Sequence, residues 1–259
     1  MRGGIQLGME GLSLGAGTGP LACSMRGLAA HAHAPARSAK GLLDWITSAG
    51  GRAVVLDATH PELRPRDLGR SARRDLASAI RRTELEWKGV DVFVPTAHLA
   101  STEHSDRALA AIVDAIELAG ELATLNVGER AVVSFDLPDD PVEGVVREIA
   151  GAADRTGVVA ASLKDGHAGL SRAVDLDALS DAGVDAVGAV TGSTTAQVRW
   201  GGPRVERRVD LLAVTGAMAI RTEPCSAVLD LTRSVEPART LGAALAAWSK
   251  ADPASGLGL

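Results

Sequence analysis

The chain has no tyrosine, two phenylalanines and four tryptophans among 259 residues. An interior this poor in aromatic rings must be filled by Ala, Val and Leu, which lets helices pack closely on a sheet. Excess positive charge is missing too. The net charge of −5 provides no broad basic field, which argues against a nucleic-acid partner. Only two cysteines occur, Cys23 and Cys225, at no metal or redox spacing. They read as two reduced, buried thiols in a cytoplasmic protein. No stretch reaches the roughly 18 consecutive apolar residues of a membrane span. The first residues have no continuous apolar run, so no secretory signal is expected.

What is present is a hydrophobic content of 46%, enough for one large core. Residues 1–19 are Gly-rich and read as a flexible extension. Their Gly15-Ala16-Gly17-Thr18-Gly19 segment precedes a strand signal and lacks the full dinucleotide-binding pattern. Residues 20–252 read as one domain, and 253–259 as a disordered tail.

Within the domain, short apolar runs ending in polar clusters alternate with amphipathic segments. Strands are expected at 20–26, 52–58, 90–95, 131–137, 157–163, 185–190, 209–215 and 227–231. Helices are expected at 38–49, with Ser38 as N-cap, and at 69–82. A long helix from 101 or 102 to 122 carries Leu109, Ile112, Ile116 and Ala119 on one face. Further helices follow at Asp140-Pro141-Val142-Glu143, read as an N-cap with Pro in the first turn, at 175–181, and at 237–250. Residues 192–208 are the least regular stretch. Eight strands with intervening helices predict an α/β fold, a single-domain (β/α)8 TIM barrel. Its C-terminal rim is then the place for function.

Several segments resemble one family. Val55-Leu56-Asp57-Ala58, Leu63-Arg64-Pro65-Arg66-Asp67-Leu68 and Ser71-Ala72-Arg73-Arg74 resemble the xylose isomerase-like TIM barrels. Their sugar phosphate isomerase/epimerase branch is nearest, a fold shared with AP endonuclease 2-like proteins. Phe93-Val94-Pro95-Thr96-Ala97-His98 and Val228-Leu229-Asp230-Leu231 fit the same pattern. The resemblance implies a divalent metal (Mn, Mg or Zn) held at the mouth by Glu, Asp and His, with a carbohydrate or sugar phosphate as substrate. The sequence departs from that pattern. Lys164 stands where strand five would end in Glu. Residues 188–193 and 212–215 offer no Asp or His. Asp230 replaces the usual Glu of strand eight. The metal set is degenerate, which leaves a divalent metal or no metal as the two readings.

The candidate site residues follow from the expected rim. His98, after strand three, suits a ligand or general base. Asp136, ending strand four, and Asp230 are the carboxylates left for a metal, with His98 beside them and His167 as a further candidate. Lys164-Asp165-Gly166-His167 is the richest cluster, placed to bind an anion or, if desolvated, to supply a base. Arg64 and Arg66 suit bidentate phosphate recognition, and are equally placed to pair with Glu62 and Asp67. His60 lies beside them, and His31 and His33 flank strand one. Thr191, Ser193, Thr194 and Thr195 form a hydroxyl-rich loop able to cradle a sugar or anion. Arg199-Trp200 and Arg204 to Arg208 form the one basic stretch, read as a solvated face or partner contact.

Three functions remain open at this level. One is a sugar or sugar-phosphate isomerase/epimerase with a rebuilt site. The second is a catalytically inactive barrel, a pseudoenzyme that binds a small anionic ligand or a protein partner. The third is a metal-free lyase using Lys164 as a Schiff-base amine. Oligomeric state and substrate identity are not legible.

Overall fold

The computed structural model describes residues 18–126, 131–192, 194–204 and 209–252. The Gly-rich residues 1–17, residues 127–130, Ser193, 205–208 and the tail 253–259 lie outside the described residues.

Eight parallel strands close into a barrel in sequence order. They are β1 (Ala22–Ser24), β2 (Ala53–Asp57), β3 (Glu86–Asp91), β4 (Val132–Phe135), β5 (Val159–Ser162), β6 (Ser171–Asp175), β7 (Thr195–Trp200) and β8 (Ser226–Leu229). Closure is direct, with Ala22 and Cys23 of β1 in register with Val228 and Leu229 of β8. The expected (β/α)8 barrel is what forms.

Helices cover the outside. The first is α1 (Ala39–Ser48), where Ser38 Oγ accepts from the Gly41 amide at 3.1 Å. Glu62 Oε2 accepts from the Ala39 amide at 2.8 Å, so Glu62 caps a helix and is not the partner of Arg64. Then come α2 (Arg70–Arg82), the short α3 (Thr96–Leu99) and α4 (Ser105–Asn126). On α4, Ile112, Ile116 and Ala119 are fully buried against the sheet, as their spacing predicts. The remaining helices are α5 (Val145–Thr156), α6 (Leu176–Ala182), α7 (Ala186–Thr191), α8 (Leu211–Ala219) and α9 (Pro237–Ala251).

Three expectations are corrected. The Asp140-Pro141 signal does not open a helix; α5 starts at Val145 after Gly144 at φ +90°. The apolar run 185–190 is helix α7, capped by Asp185, whose carboxylate accepts from the Val187 and Gly188 amides. The run 209–215 falls largely in helix α8. The sixth and seventh strands are instead Ser171–Asp175 and Thr195–Trp200. Short apolar runs do not separate a strand from a short buried helix by periodicity alone. The true strands were obscured because they carry Arg172, Gln197 and Arg199.

The barrel interior is layered. Ala22, Ala53, Val55 and Val228 form one small apolar cluster, and Val132, Ala161, Ala173 and Ala196 another. These small side chains are what a core without tyrosine can offer. Toward the C-terminal end the inward positions turn polar: Ser24, Asp57, Asp91, Ser134, Gln197 and Arg199 are all buried.

Two register shifts aim this polar layer. Between β2 and β3 the pairing jumps from Val54–Trp87 to Val55–Gly89, skipping Lys88. Between β6 and β7 it jumps from Arg172–Thr195 to Ala173–Gln197, skipping Ala196. A skipped residue inverts the inward and outward phase of everything after it. Asp91, Gln197 and Arg199 therefore point inside while Val90, Val198 and Trp200 join the outer core. The first shift requires Gly89. Its φ is +146°, and a Cβ there would lie 1.8 Å from the Val132 carbonyl oxygen.

Candidate functional site

The C-terminal mouth is organised around a buried arginine. Arg199 leaves β7 into the barrel and is 2% exposed. Its Nη1 and Nη2 donate to Asp91 Oδ1 and Oδ2 at 2.8 and 2.9 Å, a two-pronged pair. Nη2 also donates to Asp230 Oδ2 at 2.8 Å, and Nη1 to Gln197 Oε1 at 2.9 Å. Ser24 Oγ donates to Asp91 Oδ2 at 2.5 Å, and Ser134 Oγ to Gln197 Oε1 at 2.7 Å. Side chains from β1, β3, β4 and β7, with Asp230 just beyond β8, are thus tied together.

The electrostatics follow from this geometry. Burial alone opposes the charge on Arg199, but Asp91 and Asp230 hold it protonated above its already high ordinary value. Burial would likewise raise Asp230, yet the charge and hydrogen bonds of Arg199, aided by Thr232, hold it well below the usual carboxylate range. Asp91 is fully buried, and burial pushes its carboxyl up against the opposing pull of Arg199 and Ser24.

Arg26, two residues past β1, completes the mouth. Its guanidinium lies 3.4 Å from the centre of the Phe93 ring, and its Nη1 is 3.3 Å from Asp230 Oδ2. Asp230 Oδ1 accepts from both the amide and the hydroxyl of Thr232, at 3.0 and 2.7 Å. Asp57 accepts from the amides of Gly27 and Thr59 and from the Thr59 hydroxyl.

The residues expected from sequence are distributed differently. Asp230 is at the mouth but is engaged by two arginines. Asp136 is half-buried there; burial pushes its carboxyl up, against the charges of Lys164 and Arg26. Lys164 is exposed and pairs with Asp139 at 2.7 Å, and that bond raises its pKa. A Schiff-base amine must be neutral, so this environment works against the lyase reading and against Lys164 as a base. Asp165 pairs with Arg172 at 2.5 Å. His167 Nε2 is buried without a hydrogen-bond partner among the described residues. His98 is exposed on α3, its ring 5.2 Å from that of His104, and among the described residues it does not bond to Asp136 or Asp230.

Arg66 takes the bland course, pairing with its neighbour Asp67 at 3.8 Å, and Arg64 Nε reaches the Thr59 carbonyl at 3.5 Å. His60 is buried: its Nδ1 accepts from the Glu62 amide and its Nε2 meets the Arg37 carbonyl. His31 is held similarly, between the His33 amide and the Ser234 carbonyl. The hydroxyl loop is at the wrong end of the barrel. Because 186–191 is a helix leading into β7, Thr191 and Thr194 precede that strand and lie at its N-terminal end. Thr191 Oγ1 bonds back to Val187, and Arg221 occupies the carbonyls of Val190, Gly192 and Thr195. Ser193 lies outside the described residues.

Sequence reasoning missed Ser24, Arg26, Asp91 and Gln197, and Arg199-Trp200, expected on a solvated face, is buried because it lies in β7. For β7 a signal existed: Gln197, Arg199 and the apolar Val198 and Trp200 alternate with period two.

A divalent metal is implied by the resemblance, and the donors do not fit one. With the strands correctly placed, β5 and β6 end in Ser162 and Asp175, Arg199 is the penultimate residue of β7, and Asp230 directly follows β8. Asp175 caps α6 through the Asp177 and Ala178 amides. Asp230 already neutralises a fixed cation. Among the described residues no group of three or more His, Cys, Asp or Glu is arranged to hold a metal ion. Nor is any described helix long and apolar enough to cross a membrane.

Comparison with solved structures bears out the resemblance at the level of fold. The chain is similar to an L-ribulose 3-epimerase, with TM-score 0.63 and 13% identity over 90% of this chain and 94% of that one. It is similar to a xylose isomerase domain protein from Planctomyces limnophilus, with TM-score 0.62 and 11% identity over 89% and 95%. It is also similar to a probable 3-DHS dehydratase from Bacillus anthracis, with TM-score 0.62 and 10% identity over 88% and 99%. No family model and no curated protein matches the chain. One fold thus carries epimerase and dehydratase names, so it does not choose the reaction.

Proposed function

We propose that the chain is a barrel of the sugar isomerase/epimerase type that binds a small carbohydrate-like ligand at its C-terminal mouth and has lost metal-dependent isomerisation. The observation that carries this reading is Arg199, a buried guanidinium fixed between Asp91 and Asp230 at 2.8–2.9 Å. It places a permanent cation among the carboxylates that a divalent ion would require. A second cation there would meet both repulsion and filled ligands. The mouth keeps what a polar small molecule uses: Arg26, Phe93, Asp136 and Thr232.

The test is calorimetric. Chelator-treated protein is titrated with Mn²⁺ at neutral pH, then with D-fructose and L-ribulose, and each sugar is followed for conversion. The expected outcome is no stoichiometric Mn²⁺ binding, measurable sugar binding and no turnover. Stoichiometric Mn²⁺ binding that disappears in Asp230→Ala, together with metal-dependent conversion, would restore the isomerase reading and overturn this one.

A further inference from the structure

We infer that the mouth contains an oxyanion subsite built on Arg26, so that the ligand of this barrel carries a carboxylate or a phosphate. The inference rests on the mouth being a ligand site and deepens that reading.

Arg26 and Arg199 share Asp230 but stand in opposite conditions. Arg199 has both Nη atoms fully engaged and is shut off from solvent. The Arg26 side chain is 31% exposed, and among the described residues its guanidinium makes one hydrogen bond, the loose 3.3 Å contact with Asp230. Its face is covered by Phe93. Guanidinium donors lie in the plane of the group, so stacking on a ring covers the face and leaves the N–H edge available. An edge of that kind matches the two oxygens of a carboxylate or phosphate.

The arrangement is held before any ligand arrives. The Arg26 amide donates to Ser24 Oγ at 3.1 Å, and Ser24 donates to Asp91. Asp91 pairs with Arg199, Arg199 with Asp230, and Asp230 with the Arg26 side chain. The ring of bonds begins and ends on one residue. Gly27 follows at φ +66°, its amide on Asp57, which fixes the chain direction just beyond. Little ordering is left for binding to cost.

The acidic neighbours do not forbid an anion. Asp230 keeps Arg199 and two Thr232 donors if Arg26 turns its edge to a ligand. Asp136 is half-buried, and the charges of Lys164 and Arg26 act on it in the same direction. Arg64 and Arg66, the pair that the sequence offers for an anion, bond instead to the Thr59 carbonyl and to Asp67.

The experiment is isothermal titration of the full chain with glycerol 3-phosphate, D-glycerate and neutral glycerol. Wild type is compared with Arg26→Gln, Arg26→Lys and Arg66→Gln. The expected result is 1:1 binding of one or both anions, far tighter than glycerol. Arg26→Gln should weaken it about 10- to 100-fold, Arg26→Lys should fall between, and Arg66→Gln should bind like wild type. Should Arg26→Gln fail to fold, Arg26→Lys and Phe93→Leu carry the test, with weakened binding at unchanged Tm as support. Equal anion affinity in a folded Arg26 variant, or loss of binding in Arg66→Gln alone, overturns the inference. If D-fructose or L-ribulose binds and neither anion does, the subsite is wrong and the mouth remains a sugar site. If nothing binds, both readings fall.

Discussion

Replacing Arg199 with Met removes the buried charge while keeping a long, flexible apolar stem in its place. The wild-type guanidinium makes two bonds to Asp91, at 2.8 and 2.9 Å, and one to Asp230 at 2.8 Å. Removing one partner of a buried pair costs about 3–5 kcal/mol, because the other charge is left where water cannot solvate it. Asp91 is fully buried and loses both bonds. Asp230 is nearer solvent and retains Thr232 and Arg26, so its share is smaller. We expect Arg199→Met to lose about 3–5 kcal/mol at pH 7. For a chain of this size that lowers Tm by roughly 10 °C. Urea unfolding followed by circular dichroism measures the loss.

The sign of the pH dependence separates charge from packing. In the wild type Asp230 titrates below its unfolded value. Its contribution is therefore present above about pH 4 and fades as pH falls through the lower folded value. In the variant, Asp91 and Asp230 have lost a cation and take up protons more readily than in the wild type. The deficit is then largest at neutral pH and shrinks as pH falls toward about 4. A loss below about 1 kcal/mol, or one constant from pH 4 to 8, would refute the assignment of Arg199 as a buried counter-ion to the mouth carboxylates.

Other outcomes follow from single positions. Gly89→Ala places a Cβ on the Val132 carbonyl and requires the β3–β4 pairing to move, so it should cost more than the roughly 1 kcal/mol of a typical substitution; unchanged urea unfolding would contradict the close approach. Cys225, which burial pushes up to about 11, and Cys23, raised further still, should both react with Ellman's reagent at pH 8 far more slowly than free cysteine and become fully reactive in urea. Fast native-state labelling of Cys23 would contradict its burial; Cys225 is half-buried, so only one of the two buried thiols expected from the sequence is found.

Local pattern carried much of the architecture. The Ser38 cap, the α4 stripe and the strands around 53–57, 132–135 and 226–229 follow from turn chemistry and periodicity. The alternation of elements was enough for an eight-stranded barrel even though two strands were misplaced. Those two errors share a physical cause. Residues 185–190 and 209–215 are apolar because they pack on the outside as helices, while β7 looked polar because its inward face holds Gln197 and Arg199. A charged residue inside a barrel violates the local rule by which buried strands are recognised.

The sequence by itself determined the fold class, since that depends on residue types and their order; its comparison of metal ligands at 188–193 and 212–215 fell on segments that are largely helical. Only the tertiary structure decided what fills the mouth. Two register shifts turn Asp91 and Arg199 inward, closure of β8 on β1 brings Asp230 beside them, and Arg26 meets Phe93 from another strand end. Residues 26, 91, 199 and 230 are far apart in the chain, and no local pattern encodes their meeting. Their charges acquire partners only when the barrel closes.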